Sequence, residues 1–395
     1  VHPDYTDEQR TLSDELRAYF ADLMTDEVSE ALQGAHETSP VRREIFRRLG
    51  RDGMLGLGWP KAYGGQGRSA IDQFIFFDEA QRSGCPMPFV TLNTVGPTLM
   101  AHGSEEHKAA YLPGILSGDV LFAIGYSEAG AGTDLASLST KAVRDGDQWV
   151  INGQKMFTSG ADEADYIWLA CRTNPDAPKH KGISIIIVPT DTPGFSFTPI
   201  VTVGNATTTA TYYDEVRVPA ANLVGAENEG WKLITSQLNH ERVGLAAVGA
   251  LSFHLYEEVV AWAAETPAAD GGEAAVLDQG WVQMDLARCH AKLEAMKLLN
   301  WQMAAAVAAD SLPPARASAV KVYGTEAVSD IYHLMLGVLG AGAHFREGSP
   351  GALLAGRVEA AARTAQINTF GGGVNEVQRE IVAWTGLQMT RGGRR

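Results

Sequence analysis

Apolar residues recur every three or four positions through EQRTLSDELRAYFADLM, at Leu12, Leu16, Phe20 and Leu23. That spacing places them on one face of a helix, and Thr6 just before it is a candidate N-cap. IDQFIFFDEAQRSG and SEEHKAAYLPGILSGD show the same period, with Pro113 and Gly114 expected to break the second. WPKAYGGQGRS (59–69) is dense in Gly and Pro and reads as a loop. The first 120 residues therefore predict a helical domain.

Beyond residue 120 the period falls to two. KAVRDGDQWVING alternates around Asp145-Gly146, a hairpin signal, and YIWLACRT, GISIIIVPT and TATYYDEVRVP are further β-rich runs. Seven or eight short strands are expected over residues 121–225. From Glu229 the helical period returns. EGWKLITSQLNHERVGLAAVGALSFHLYEEVVAWAAE predicts one long helix, TPAADGGEA (266–274) a loop, and two further long helices and a last one follow, ending in GGGVNEVQREIVAW. Long amphipathic helices joined by short loops predict a bundle. The expected domains are 1–120 helical, 121–228 β and 229–395 helical: a mainly α chain with a β middle domain.

Composition narrows the function. A chain of 395 residues can bury two or three cores. Its net charge of −15 leaves no basic excess to neutralise phosphates, which argues against nucleic acid and anionic membrane surfaces as partners. Cys85, Cys171 and Cys289 lie far apart with no CxxC, so neither a disulfide framework nor a zinc knuckle is expected. The polar, acidic N-terminal segment is unlike a signal peptide, and no apolar run reaches the ~20 residues of a membrane span. A cytoplasmic location is expected.

Common catalytic signatures are missing: no Walker A loop, no HExxH, no GxGxxG after a strand, and ten scattered histidines that suggest no metal site. GYSEAG (125–130) approaches the hydrolase elbow GxSxG, but Ala129 replaces its second glycine and strands rather than a helix follow. Extended to GYSEAGAGTDLAS (125–137), the stretch can expose N–H groups and hydroxyls to a polar or anionic ligand, or it can be a tight turn capped by its own Asp and Ser. INGQKMFTSGADEADYIWLACRT (151–173) supplies a second turn with hydroxyls and one aromatic. Two such turns can clasp a flat heterocycle.

These two stretches resemble the signature segments of the acyl-CoA dehydrogenase family, with Tyr126 where an aliphatic residue is usual and Phe157 where Trp is usual. WPKAYGGQG, DEVRVPAANLVG and NEVQREIVAW resemble that family too, in the same order over essentially the whole chain. The resemblance implies an N-terminal helical domain, a middle β-barrel, a C-terminal four-helix bundle and an FAD between barrel and bundle. It implies that Tyr126 backbone and Ser127 address the pyrimidine edge of the flavin. Gly132 and Thr133 would lie toward the phosphates, Phe157 would cover one flavin face, and Thr158 and Ser159 would lie beside it, Ser159 near N5. Plain core packing is the competing reading of Phe157.

The implied reaction removes an α-proton from an acyl-CoA thioester and passes a β-hydride to the flavin, giving a trans-2-enoyl-CoA. A weak carbon acid requires a positioned carboxylate in a water-poor pocket and stabilisation of the developing enolate. Most members carry the base in a C-terminal "YEGTxxIQR" segment. Here that segment is FGGGVNEVQR (370–379), and Gly372 stands at the base position. Its N–H can still address the thioester oxygen. Some members place the base on the first bundle helix, where LNHERVGLA (238–246) puts Glu241, with Arg242 as an orienting partner. A structural salt bridge is the competing reading of Glu241. Glu128 is expected to act only in loop structure.

Two departures bear on assembly. Homotetrameric relatives lend an "RxxFG" arginine and a "QxxGG" glutamine to the neighbouring subunit's FAD. This chain has AWAAETPAADGGEAA (261–275) in the first region and Gly337 at the glutamine position of the second. An absent Arg clamp removes strong charge-assisted bonds to a pyrophosphate. A paralogous partner subunit in an α2β2 complex is therefore expected to supply it, with electron-transfer flavoprotein as acceptor. FGGGVNEVQR together with LNHER is most similar to subunits that dehydrogenate steroid side-chain CoA esters in sterol-degrading bacteria. A non-catalytic structural subunit and a flavin oxidase of the same fold are the competing functions.

Overall fold

The structure is a computed structural model and describes residues 5–33, 39–204, 206–235, 250–268, 274–309 and 311–390. Helix α1 (Asp7–Leu23) opens with a capping box: the Thr6 hydroxyl accepts from Gln9 N–H, and the Gln9 amide oxygen accepts from Thr6 N–H. Its buried stripe is Leu12, Leu16, Phe20 and Leu23, as the period predicts. Helices α2 (Asp26–Gln33), α3 (Pro40–Arg51), α4 (Ala70–Arg82), α5 (Gly96–His102) and α6 (Glu105–Ser117) complete the first layer.

Helix α6 corrects one expectation, because it runs straight through Pro113 and Gly114. Pro113 is exposed and so is Ala109, one turn earlier, so water can reach the carbonyl that the missing proline N–H leaves unpaired. The helix stops at Gly118, in the left-handed region at φ 77°. A Cβ there would collide with the Phe46 carbonyl, so the same glycine lets α3 and α6 approach.

Among the described residues eight strands follow: β1 (Phe122–Gly125), β2 (Lys141–Asp145), β3 (Gln148–Lys155), β4 (Tyr166–Arg172), β5 (Ile183–Pro189), β6 (Phe195–Val201), β7 (Thr207–Pro219) and β8 (Leu223–Val224). Their order is β6-β7-β3-β2-β4-β5-β8, with β1 parallel to β4. The first hairpin turns at Gly146-Asp147, one residue later than expected, since Asp145 pairs with Gln148. Gly146 supplies the positive φ of 62° that the tight turn needs.

Strands β4 and β5 read as unbroken apolar runs because both faces are covered. Trp168, Ala170, Ile183, Ile185 and Ile187 pack into the N-terminal helical core, while Ile167, Leu169, Cys171, Ile186 and Val188 fill the β core.

The C-terminal part is helical again. Residues 230–235 are helical, followed by α7 (Ala250–Glu265), α8 (Gly280–Ala308), α9 (Pro314–Leu339), α10 (Arg357–Ala365) and α11 (Asn375–Ile381). The middle of the long helix expected from Glu229, and most of the expected tip at 266–274, lie outside the described residues. Val259, Leu286, Leu293, Ile331, Met335 and Val358 belong to one core shared by α7 to α10. All three cysteines are buried and free. Among the described residues no helix is long and apolar enough to cross a membrane.

Candidate active site

The turn after β1 is built around one carboxylate. Glu128 Oε1 accepts from Lys155 Nζ at 2.8 Å and Thr140 N–H at 2.9 Å. Its Oε2 accepts from Ser139 N–H and the Ser139 hydroxyl, both at 2.7 Å. Burial alone pushes Glu128 up, but the Lys155 cation and these donors outweigh it and hold the carboxyl at about 2. Lys155 is fully buried, and burial drives its ammonium down against the pull of Glu128. Lys155 Nζ also donates to the Tyr126 carbonyl at 3.0 Å, so one cation ties the start of the turn to its centre.

The neighbouring residues complete that tie. The Tyr126 hydroxyl accepts from Trp168 Nε1 at 3.1 Å, and the Ser127 carbonyl accepts from Met156 N–H at 2.8 Å. The turn 125–137 is thereby sewn to the end of β3. Farther along, Asp134 accepts from the Ser137 hydroxyl and from Lys179, so the self-capped turn foreseen in the sequence is present. Gly132 and Thr133 are exposed on its outer edge, and a Cβ at Gly132 would meet nothing within 4 Å.

The second turn leaves β3 directly. Thr158 N–H donates to the Thr209 carbonyl at 2.9 Å, and the Thr209 hydroxyl returns to the Thr158 carbonyl at 2.6 Å. The Thr158 hydroxyl lies 3.3 Å from that of Thr211, and the Ser159 hydroxyl 2.9 Å from that of Thr208. Strand β7 thus clamps the chain on one side of Phe157, and β3 fixes the other. Phe157 is held at φ 61° with 62% of its surface exposed. A left-handed aromatic residue costs roughly 1–2 kcal/mol, and core packing does not repay it here.

The C-terminal segment makes a third turn. Gly372 sits at φ 66° and Gly373 at φ 102°, and a Cβ on Gly372 would face open space. Lys321 and Glu326 of α9 hold the flanks of this turn through Asn375 and Arg379. Glu376 is exposed on the first turn of α11. Glu241 and Arg242 lie outside the described residues.

The structure therefore brings Tyr126, Ser127, Phe157, Thr158 and Ser159 to one end of β3, and leaves Gly132 and Thr133 at the rim of the first turn. Sequence reading missed Lys155 and Lys321. Lys155 had a signal: it falls in phase with the inward residues Trp149 and Ile151 of β3, where a cation needs a buried partner.

Known families match this arrangement throughout. Residues 6–119, 123–216 and 228–387 match the N-terminal, middle and C-terminal domain models of acyl-CoA dehydrogenase. The chain belongs to the acyl-CoA dehydrogenase family. That family is FAD-dependent. The chain is 55% identical to acyl-CoA dehydrogenase FadE26 of Mycobacterium tuberculosis, covering 99% of each chain. It is similar to the solved Tcur3481-Tcur3483 steroid ACAD, with 59% identity, a TM-score of 0.93, and 98% of this chain and 99% of that one covered. It is also similar to a chain in the ChsE4-ChsE5 complex from M. tuberculosis, at 54% identity and TM-score 0.93 over 99% of this chain and 100% of that one.

Proposed function

We propose that this chain holds FAD between the 125–137 and 156–160 turns and dehydrogenates a bulky acyl-CoA thioester to its trans-2-enoyl-CoA. The exposed, left-handed Phe157 is the observation that carries the reading. A flat heterocycle needs an aromatic surface on one face and polar groups at its edge, and Phe157, Ser127 and Ser159 are of that chemistry. The Tyr126 backbone and Ser127 address the flavin's pyrimidine edge, with the Tyr126 carbonyl steadied by Lys155. Thr158 acts by pinning the backbone at Phe157, and Gly132 and Thr133 lie toward the phosphates. FAD, when bound, supplies the acceptor for the β-hydride.

Glu241 takes the α-proton and Arg242 orients it. The Gly372 N–H steadies the thioester oxygen as charge develops there. Gly372 carries no side chain and faces open space, which leaves room for a bulky acyl group. The relatives named as a steroid ACAD and as the ChsE4-ChsE5 complex support a steroid side-chain substrate and a heteromeric assembly. Gly337, exposed on α9, presents no side chain to a neighbour's cofactor, which also supports a paralogous partner in an α2β2 complex. Electron-transfer flavoprotein is the acceptor proposed, the cytoplasm the location, and 1–120, 121–228 and 229–395 the domain limits. Co-expression with a paralogous subunit tests this: a yellow complex of two chain types, reduced by acyl-CoA, is expected. A colourless complex, or a homotetramer with one FAD per chain, contradicts it.

A further inference from the structure

Phe370 is followed by three glycines, so no side chain at 371–373 can pack and fix the turn. Glycine also loses more conformational freedom on ordering than any other residue. The turn is held instead through its oxygens. Lys321 Nζ donates to the Gly373 carbonyl at 2.7 Å, to Asn375 Oδ1 at 2.7 Å and, more distantly, to the Thr369 carbonyl at 3.4 Å. Three acceptors for three ammonium donors straddle Gly372 on both sides.

The same face of α9 continues the grip. Asn375 Nδ2 donates to Thr325 Oγ1 at 3.0 Å and Glu326 Oε1 at 3.1 Å, and Arg379 pairs with both oxygens of Glu326 at 2.7 and 2.8 Å. Gly373 sits at φ 102°, a conformation side chains rarely adopt, and a Cβ there would press on the end of the Gln378 side chain. We infer that Lys321 is a positioning residue that fixes the direction of the Gly372 amide, and through it the seat of the thioester oxygen. The second half of that inference rests on the proposed function; the first does not.

Burial pulls Lys321 down to about 8, with Glu376 and Glu326 opposing, so the grip is given up as the pH rises through that value. A guanidinium at 321 stays charged.

Hydrogen exchange tests the grip without any ligand, in the complete flavoprotein. Lys321→Met is expected to speed exchange of the 371–375 amides about tenfold, the equivalent of one lost charge-assisted bond. Exchange elsewhere in α9 stays unchanged, and Lys321→Arg restores protection and removes its loss above pH 8. Unchanged exchange in 371–375, or equal loosening throughout α9, overturns the inference. Turnover of acyl-CoA then tests the consequence. Lys321→Met is expected to lower kcat/KM about tenfold at unchanged flavin content, with Arg recovering most of it. Loosened amides with unchanged kinetics overturn the role toward the thioester. If the unaltered complex dehydrogenates no acyl-CoA, the proposed function fails, and the exchange result still decides the grip.

Discussion

Lys155 Nζ lies 2.8 Å from Glu128 Oε1, with the lysine side chain fully buried and the glutamate 9% exposed. This pair joins two segments 27 residues apart, the turn after β1 and the end of β3. Removing one partner of a buried pair strands the other, at a cost of about 3–5 kcal/mol, whereas replacing both can be nearly neutral. Lys155→Met is therefore expected to lower stability by about that amount. Lys155→Met combined with Glu128→Gln recovers much of the loss, as read by urea unfolding.

The same pair sets an acid dependence. Glu128 titrates at about 2 in the folded chain and at 4.5 when unperturbed. Its contribution is complete above the unfolded value and is lost as the pH falls toward the folded one. Stability should decline between pH 4.5 and 2 through this group, and Glu128→Gln should flatten that part of the profile.

Phe157 separates stability from function. Phe157→Gly removes the left-handed strain and little packing, so the flavin-free protein should gain up to about 1 kcal/mol. Flavin affinity should fall in the same variant, measured by fluorescence titration. Lower stability with unchanged flavin affinity would make Phe157 a packing residue.

The three thiols give a direct check on the cores. Burial pushes Cys85, Cys171 and Cys289 up to about 12. A thiol-specific disulfide reagent should label none of them in the native protein and all three after denaturation.

The periodicities made most of the fold legible. The Thr6 cap, the Leu12–Leu23 stripe and the β-rich runs all stand where the spacing put them. Pro113 misled because local propensity knows nothing of exposure, and only the folded helix shows Ala109 and Pro113 at the surface, where water can replace the missing N–H. The 125–137 and 156–160 turns were visible as motifs, but their fixings were not. Lys155 meets Glu128, and Thr209 meets Thr158, between segments whose register no local pattern states. Lys321 is 52 residues from Gly373, beyond any helical or strand period.

Glu241 is proposed as the base for α-proton abstraction, while position 372 carries none. Anaerobic mixing of acyl-CoA with the flavin-loaded complex measures it. Flavin absorbance is expected to bleach in the unaltered complex, whereas Glu241→Gln is expected to retain FAD and acyl-CoA binding but fail to bleach. Bleaching of Glu241→Gln at the unaltered rate would contradict it.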